Sequence, residues 1–72
     1  MRSAEEIKKL RSGRGFFTRQ SVLDALEQEG ISMTRVTYTS KEHGKTPFTA
    51  REIKALIKIY GITAEEGLEF FA

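Results

Sequence analysis

The chain contains no cysteine, which excludes both a disulfide framework and a thiolate metal site. No apolar run approaches the roughly 18 residues of a membrane span, and the segment from Met1 to Glu6 lacks the apolar stretch of a signal peptide. These absences predict a cytoplasmic protein with no membrane association. Its stability must come from packing or from self-association.

The sequence contains few residues that could support catalysis. His43 is the only histidine, and it stands in a polar loop with no second nitrogen ligand and no base–nucleophile pair. The glutamate pairs Glu5-Glu6 and Glu65-Glu66 fall in the first turns of predicted helices, where they complement the helix dipole. We therefore expect no catalysis, no metal and no cofactor, and one domain over residues 1–72 that acts by binding.

Charge is unevenly spread along the chain, although the net charge is only +2. Residues 1–20 carry six Lys or Arg and two Glu, whereas residues 46–72 carry three Lys or Arg and four Glu. This asymmetry indicates one face suited to an anionic partner. The alternative is that Lys8, Lys9 and Arg11 form only the solvated face of an amphipathic helix.

Hydroxyl residues followed three positions later by glutamate predict three helix starts, because this is the spacing of a capping box. The pairs are Ser3 with Glu6, Thr49 with Glu52, and Thr63 with Glu66. They predict a first helix from Ser3 to Ser12, a fourth from Thr49 to Tyr60, and a short closing helix after Thr63.

A second helix is predicted from Arg19 to about Glu29, because Thr18 can cap it and apolar residues recur within it at helical spacing. Gly30 ends this helix. Ser32 is the predicted N-cap of a third element that begins at Met33.

The third element decides between two fold classes. Residues 33–41 are rich in threonine and β-branched residues, which lowers helix propensity and leaves a strand open. The first interpretation is an all-α domain of five short helices. The alternative is an α+β domain with a hairpin over residues 35–48, although Pro47 restricts that hairpin to a sheet edge.

The order of the second and third elements is that of a helix-turn-helix, with a helix that ends at a glycine, a tight turn and a Thr/Ser-rich segment. No carboxylate occurs from Ser32 to Lys41, so the segment would not repel phosphate. Arg35 can reach a guanine edge or a backbone oxygen. The alternative is an ordinary helix or hairpin surface with no partner.

Several segments along the chain follow the pattern of one known family. They are Lys8-Lys9-Leu10-Arg11, Thr18-Arg19-Gln20, His43-Gly44-Lys45-Thr46-Pro47-Phe48-Thr49, Gly61-Ile62-Thr63-Ala64-Glu65-Glu66 and Phe70-Phe71. In this order they resemble the phage-repressor and Cro-like helix-turn-helix domains, over roughly residues 5 to 71. The resemblance implies a lambda-repressor-like fold and a small phage-type transcriptional regulator.

The resemblance leaves two registers open for the third helix. In the family a short, fixed spacing links the turn glycine, a buried aliphatic residue and the next glycine. Counting forward from Gly30 makes Val36 the buried residue, whereas counting back from Gly44 makes it Tyr38. This mismatch predicts an extended turn or a lengthened third helix.

The resemblance also implies a surface that binds operator DNA, with the protein acting as a dimer that blocks or redirects transcription. Arg19 and Gln20 would contact phosphate, and Lys41 and Lys45 would contact the flanking backbone. The side chains that would face the major groove are Thr34, Arg35, Thr37 and Thr39. The implied residues are Arg19, Gln20, Thr34, Arg35, Thr37, Thr39, Lys41 and Lys45.

Two pairs of adjacent phenylalanines stand near the two ends of the chain. Phe16 and Phe17 are predicted to face the core, because exposed adjacent phenylalanines are unusual in a soluble domain. Phe70 and Phe71 would anchor a homodimer or a protein partner if exposed, with core closure expected for at least one of them. The low net charge, the mismatched spacing of the third element and the acidic, phenylalanine-ended C-terminus leave a second function open. This alternative is a modulator or antirepressor that binds a repressor protein instead of DNA.

Overall fold

The computed structural model describes residues 1–72 and contains five helices and no strand. The helices are α1 (Ala4–Gly13), α2 (Arg19–Gln28), α3 (Arg35–Glu42), α4 (Ala50–Tyr60) and α5 (Ala64–Phe71). The all-α prediction is confirmed. None of the helices has the length and apolar character needed to span a membrane.

The alternative, a hairpin over residues 35–48, is wrong. Thr34 caps α3 by accepting a hydrogen bond from the Thr37 N–H at 3.2 Å, and the Tyr38 N–H donates to the Thr34 carbonyl at 3.0 Å. The cap and the burial of Tyr38 on the core outweigh the weak helix propensity of the segment.

Each of the three predicted capping boxes forms. In each, the hydroxyl accepts from the N–H of the glutamate three residues on, and that glutamate accepts from the N–H of the cap residue. The backbone hydrogen bond from Ser3 lowers the pKa of Glu6, and that from Thr63 lowers the pKa of Glu66. Helices α1, α4 and α5 therefore begin where the sequence predicts.

One hydrophobic core joins the five helices, and aromatic rings form its centre. The Phe48 ring, from the loop before α4, lies 5.3 Å from Phe71 of α5 and 6.2 Å from Tyr38 of α3, centroid to centroid. Tyr60 of α4 stacks on Phe71 at 6.1 Å. The closing helix thus completes the core through Phe71, as expected for at least one of the two terminal phenylalanines.

Phe16 and Phe17 do not both face the core. Phe16 is half-buried and meets Tyr60 edge to face at 5.5 Å, whereas Phe17 is 73% exposed. The two adjacent side chains therefore differ in burial, and the prediction is wrong for Phe17. Phe70 is also half-buried, with the Arg2 guanidinium 5.7 Å from its ring centroid.

Candidate nucleic-acid interface

The connection between α2 and α3 positions the candidate site. Gly30 has a φ of +81°, a left-handed conformation that suits glycine, and it turns the chain so that Ile31 is buried. The Ile31 N–H donates to the Leu26 carbonyl at 2.9 Å, and Arg51 of α4 donates to the Gly30 carbonyl at 3.0 Å. Hydrogen bonds to α2 and from α4 therefore stabilise the turn.

The same connection settles the register of α3. Helix α3 begins at Arg35 with Thr34 as its cap, so the predicted start at Met33 and the predicted cap at Ser32 are wrong. Tyr38 is fully buried, whereas Val36 is 78% exposed. The register counted back from the glycine after α3 is correct, and the turn is extended beyond the usual 3–4 residues.

A buried carboxylate joins the first three helices. Glu42 of α3 is fully buried, with Arg11 Nε of α1 at 3.4 Å from Oε2 and Arg19 Nη2 of α2 at 3.2 Å from Oε1. Arg11 also donates to the Phe16 carbonyl at 3.2 Å. Lys8 and Lys9 are exposed, so the solvated-face interpretation fits these lysines and is wrong for Arg11.

Two tyrosine hydroxyls lie within the core near this ion-pair cluster. Burial raises the pKa of Tyr60 to about 12. Burial, together with the neighbouring Tyr60 and Glu42, raises the pKa of Tyr38 further. Both tyrosines therefore stay neutral at ordinary pH, and Glu42 is the carboxylate that pairs with Arg11.

Two of the predicted site residues are joined across the helix-turn-helix. Arg35, the first residue of α3, donates from Nη2 to Gln20 Oε1 of α2 at 3.1 Å. Gln20 donates in turn to Asp24 Oδ1 at 2.9 Å, which fixes the amide orientation. Beside them, the Thr34 hydroxyl donates to the Thr37 hydroxyl at 2.9 Å, and all four predicted residues are exposed.

The other predicted residues are placed differently. Lys45 is exposed in the loop after α3. Thr39 is half-buried on the opposite flank of α3 from Thr37, and its carbonyl lies 2.8 Å from His43 Nδ1. Arg19 reaches the surface with 34% of its side chain while it pairs with the buried glutamate.

Lys41 lies in the interior and cannot contact a phosphate in this conformation. It is buried, and its ammonium donates to both carboxylate oxygens of Glu52 at 2.6 and 2.7 Å. Burial alone would raise the pKa of Glu52, but hydrogen bonds from Lys41 and from the Thr49 backbone outweigh it and lower the pKa. Lys41 is therefore not part of the exposed surface of α2 and α3 that we call the candidate surface. This surface contains Gln20, Thr34, Arg35 and Thr37.

A shallow depression of about 390 Å³ opens at the N-terminus of α2, and we call it the basic depression. Its lining contains four basic side chains and no carboxylate. The lining residues are Lys8, Arg11, Phe17, Thr18, Arg19, Gln20 and Arg35. Three predicted site residues, Arg19, Gln20 and Arg35, therefore share one concave surface, and Arg11 and Arg19 are there paired with Glu42.

Sequence reasoning missed Lys8 and Phe17 as parts of this surface, and it did not predict the exposure of Val36 on α3. Lys8 could have been found, because a residue three positions before Arg11 lies on the same side of a helix. Phe17 and Val36 carried no usable signal, since their exposure follows from the loop conformation and from the register of α3.

The remaining concave surfaces differ in charge. One, of about 520 Å³, lies beside α4 and contains Arg51, Lys54 and Lys58, with Lys58 paired to Glu29 at 3.1 Å. Another, on the outer side of α2, is lined by Asp24, Glu27 and Gln28. No group of three or more His, Asp or Glu side chains comes together to hold a metal ion.

Comparison with known proteins finds no matching family model, no matching curated protein and no matching solved structure.

Proposed function

We propose that this chain is a small transcriptional regulator of the phage-repressor kind, which binds double-stranded operator DNA through α2 and α3. The observation that carries the proposal is the 3.1 Å hydrogen bond from Arg35 to Gln20. It joins the start of the third helix to the first turn of the second, where a duplex lying across a helix-turn-helix would meet both.

The chemistry of this surface suits DNA. Arg35 presents a guanidinium that can bond the O6 and N7 atoms of guanine, and the exposed hydroxyls of Thr34 and Thr37 can bond base edges or phosphate. Gln20 and the N-terminal turn of α2 would contact phosphate, with Lys8 and Lys45 on the flanking backbone. A homodimer would place two such surfaces on half-sites about 34 Å apart.

The acidic side of α2 limits where a duplex can lie. Asp24 is one turn beyond Gln20, and Glu27 and Gln28 continue the same exposed surface. A phosphate backbone would be repelled there. DNA should therefore contact only the first turn of α2 and run toward α1 and the loop after α3.

A charge-matched pair of variants tests the proposal. Arg35→Ala and Lys54→Ala each remove one exposed positive charge, the first from the α3 surface and the second from α4. We expect Arg35→Ala to weaken binding to duplex DNA by about tenfold, because one charged base contact contributes ~1–3 kcal/mol. Lys54→Ala should bind like the unmodified protein in the same fluorescence-anisotropy titration.

Equal weakening by the two variants would contradict the assignment of α2 and α3 as the DNA surface. If the unmodified protein binds no duplex even at low salt, DNA binding itself is wrong. That result would favour the other expected partner, a repressor protein, with binding measured by titration against that repressor.

A further inference from the structure

Val36 stands out on the candidate surface because it is apolar and 78% exposed. It is the second residue of α3, on the side opposite the fully buried Tyr38, since residues two apart on a helix are about 200° apart. Val36 is not one of the residues that form the hydrophobic core or pack against it. A β-branched residue also lowers helix propensity there, so local helix stability does not explain it.

The neighbours of Val36 are polar. Arg35 and Thr37 flank it in sequence, and Ser40 lies one turn further along the same face of α3. None of the four side chains carries a negative charge, and the only carboxylate of α3, Glu42, is buried. Val36 is therefore a small isolated apolar group within a surface that can otherwise make hydrogen bonds.

We propose that Val36 reads the 5-methyl group of thymine in the major groove. This inference rests on the proposed DNA-binding function and adds a base preference to it. A valine side chain makes no hydrogen bonds, and the thymine methyl is the distinctive apolar group that a base pair displays in that groove. The stiff χ1 of valine also means that little side-chain freedom is lost on contact.

The test separates the methyl group from the rest of the base. A randomised duplex library is first enriched with the unmodified protein, and each thymine of an enriched duplex is then replaced by deoxyuridine, which lacks only the 5-methyl group. We expect at least one replacement to weaken binding about fourfold, the factor that corresponds to ~0.8 kcal/mol for one buried carbon group.

Val36→Ala should bind the thymine and deoxyuridine forms of that duplex equally. This variant should fold, because alanine is a better helix former and Val36 is exposed. Leu68→Ala is the matched control, since Leu68 is an exposed apolar residue on α5 with 58% exposure. The control should keep the full fourfold difference between the two duplex forms.

Two outcomes would overturn the inference, and they are distinguishable. If duplexes are enriched but every deoxyuridine form binds like thymine, or if Val36→Ala keeps the difference, Val36 does not read thymine and DNA binding stands. If no duplex is enriched at all, both the inference and the proposed function are wrong.

Discussion

At the scale of single residues, two buried carboxylates determine which positive charges remain for a partner. Glu42 forms ion pairs with Arg11 and Arg19, and Glu52 forms an ion pair with Lys41. A count of basic residues along the sequence therefore overstates the charge at the surface. Pairing is also required for burial, because an unpaired charge in a low-dielectric interior is strongly unfavourable.

Glu42→Gln should destabilise the fold severely. The substitution keeps the shape of the side chain but removes the negative charge, which leaves Arg11 buried without a counter-charge. Breaking a buried pair in this way costs about 3–5 kcal/mol. The free energy of unfolding from urea titration, followed by circular dichroism, measures the loss.

The matched control is Asp24→Asn, which removes one negative charge from an exposed position. It should change the free energy of unfolding by less than about 0.5 kcal/mol. A Glu42→Gln protein as stable as this control would show that the cluster of Arg11, Arg19 and Glu42 does not hold the first three helices together.

The pairing of Lys41 with Glu52 should make stability depend on pH. The folded state lowers the pKa of Glu52 below its ordinary value of 4.5, so the stabilisation is present above that pH and is lost as pH falls through the folded value. Glu52→Gln should be less stable than the unmodified protein at pH 7. The difference should narrow progressively below about pH 4.5.

Thermal unfolding of both proteins from pH 7 to pH 3 tests this expectation. A difference in melting temperature that stays constant over the range would mean that the Glu52 carboxylate makes no pH-dependent contribution to the fold.

At the scale of secondary structure, the sequence alone predicts the start of each helix that begins with a capping box. Ser3, Thr49 and Thr63 are followed at the right distance by glutamate, and each begins a helix. The start of α3 was not predictable in this way. Ser32 and Thr34 are both good caps, and no glutamate three residues later distinguishes them.

The error in the start of α3 also explains the position predicted for Lys41. If Val36 were buried, the helical period would bury residues 39 and 40 and leave Lys41 outside. With Tyr38 buried, the same period brings Lys41 and Glu42 toward the core. The partners of both side chains lie far along the sequence, so no local pattern could have identified them.

A pair of alanine substitutions tests the observed cap. Thr34→Ala should destabilise the protein by about 1 kcal/mol, because the side chain that accepts the Thr37 N–H is removed. Ser32→Ala, at the exposed position predicted from the sequence, should have almost no effect. Equal losses in urea unfolding would contradict the assignment of Thr34 as the cap.

At the scale of the whole molecule, the five helices separate surfaces of different charge. Helices α4 and α5 supply Tyr60 and Phe71 of the aromatic core, and α4 also supplies Arg51, which donates to the α2–α3 turn. The first turn of α2, the start of α3 and Lys8 of α1 form the basic surface, while the later turns of α2 are acidic. The all-α fold was predictable from caps and periodicity, but this arrangement of charge required the tertiary structure.

The central claim, that the basic surface binds DNA, is tested most directly by the salt dependence of binding. A labelled mixed-sequence duplex is titrated with the protein by fluorescence anisotropy at several salt concentrations. With Lys8 and Lys45 each on a phosphate, the logarithm of the binding constant should fall against the logarithm of salt concentration with a slope of about −2 per protomer. Absence of binding at low salt, or binding that does not change with salt, would contradict the claim.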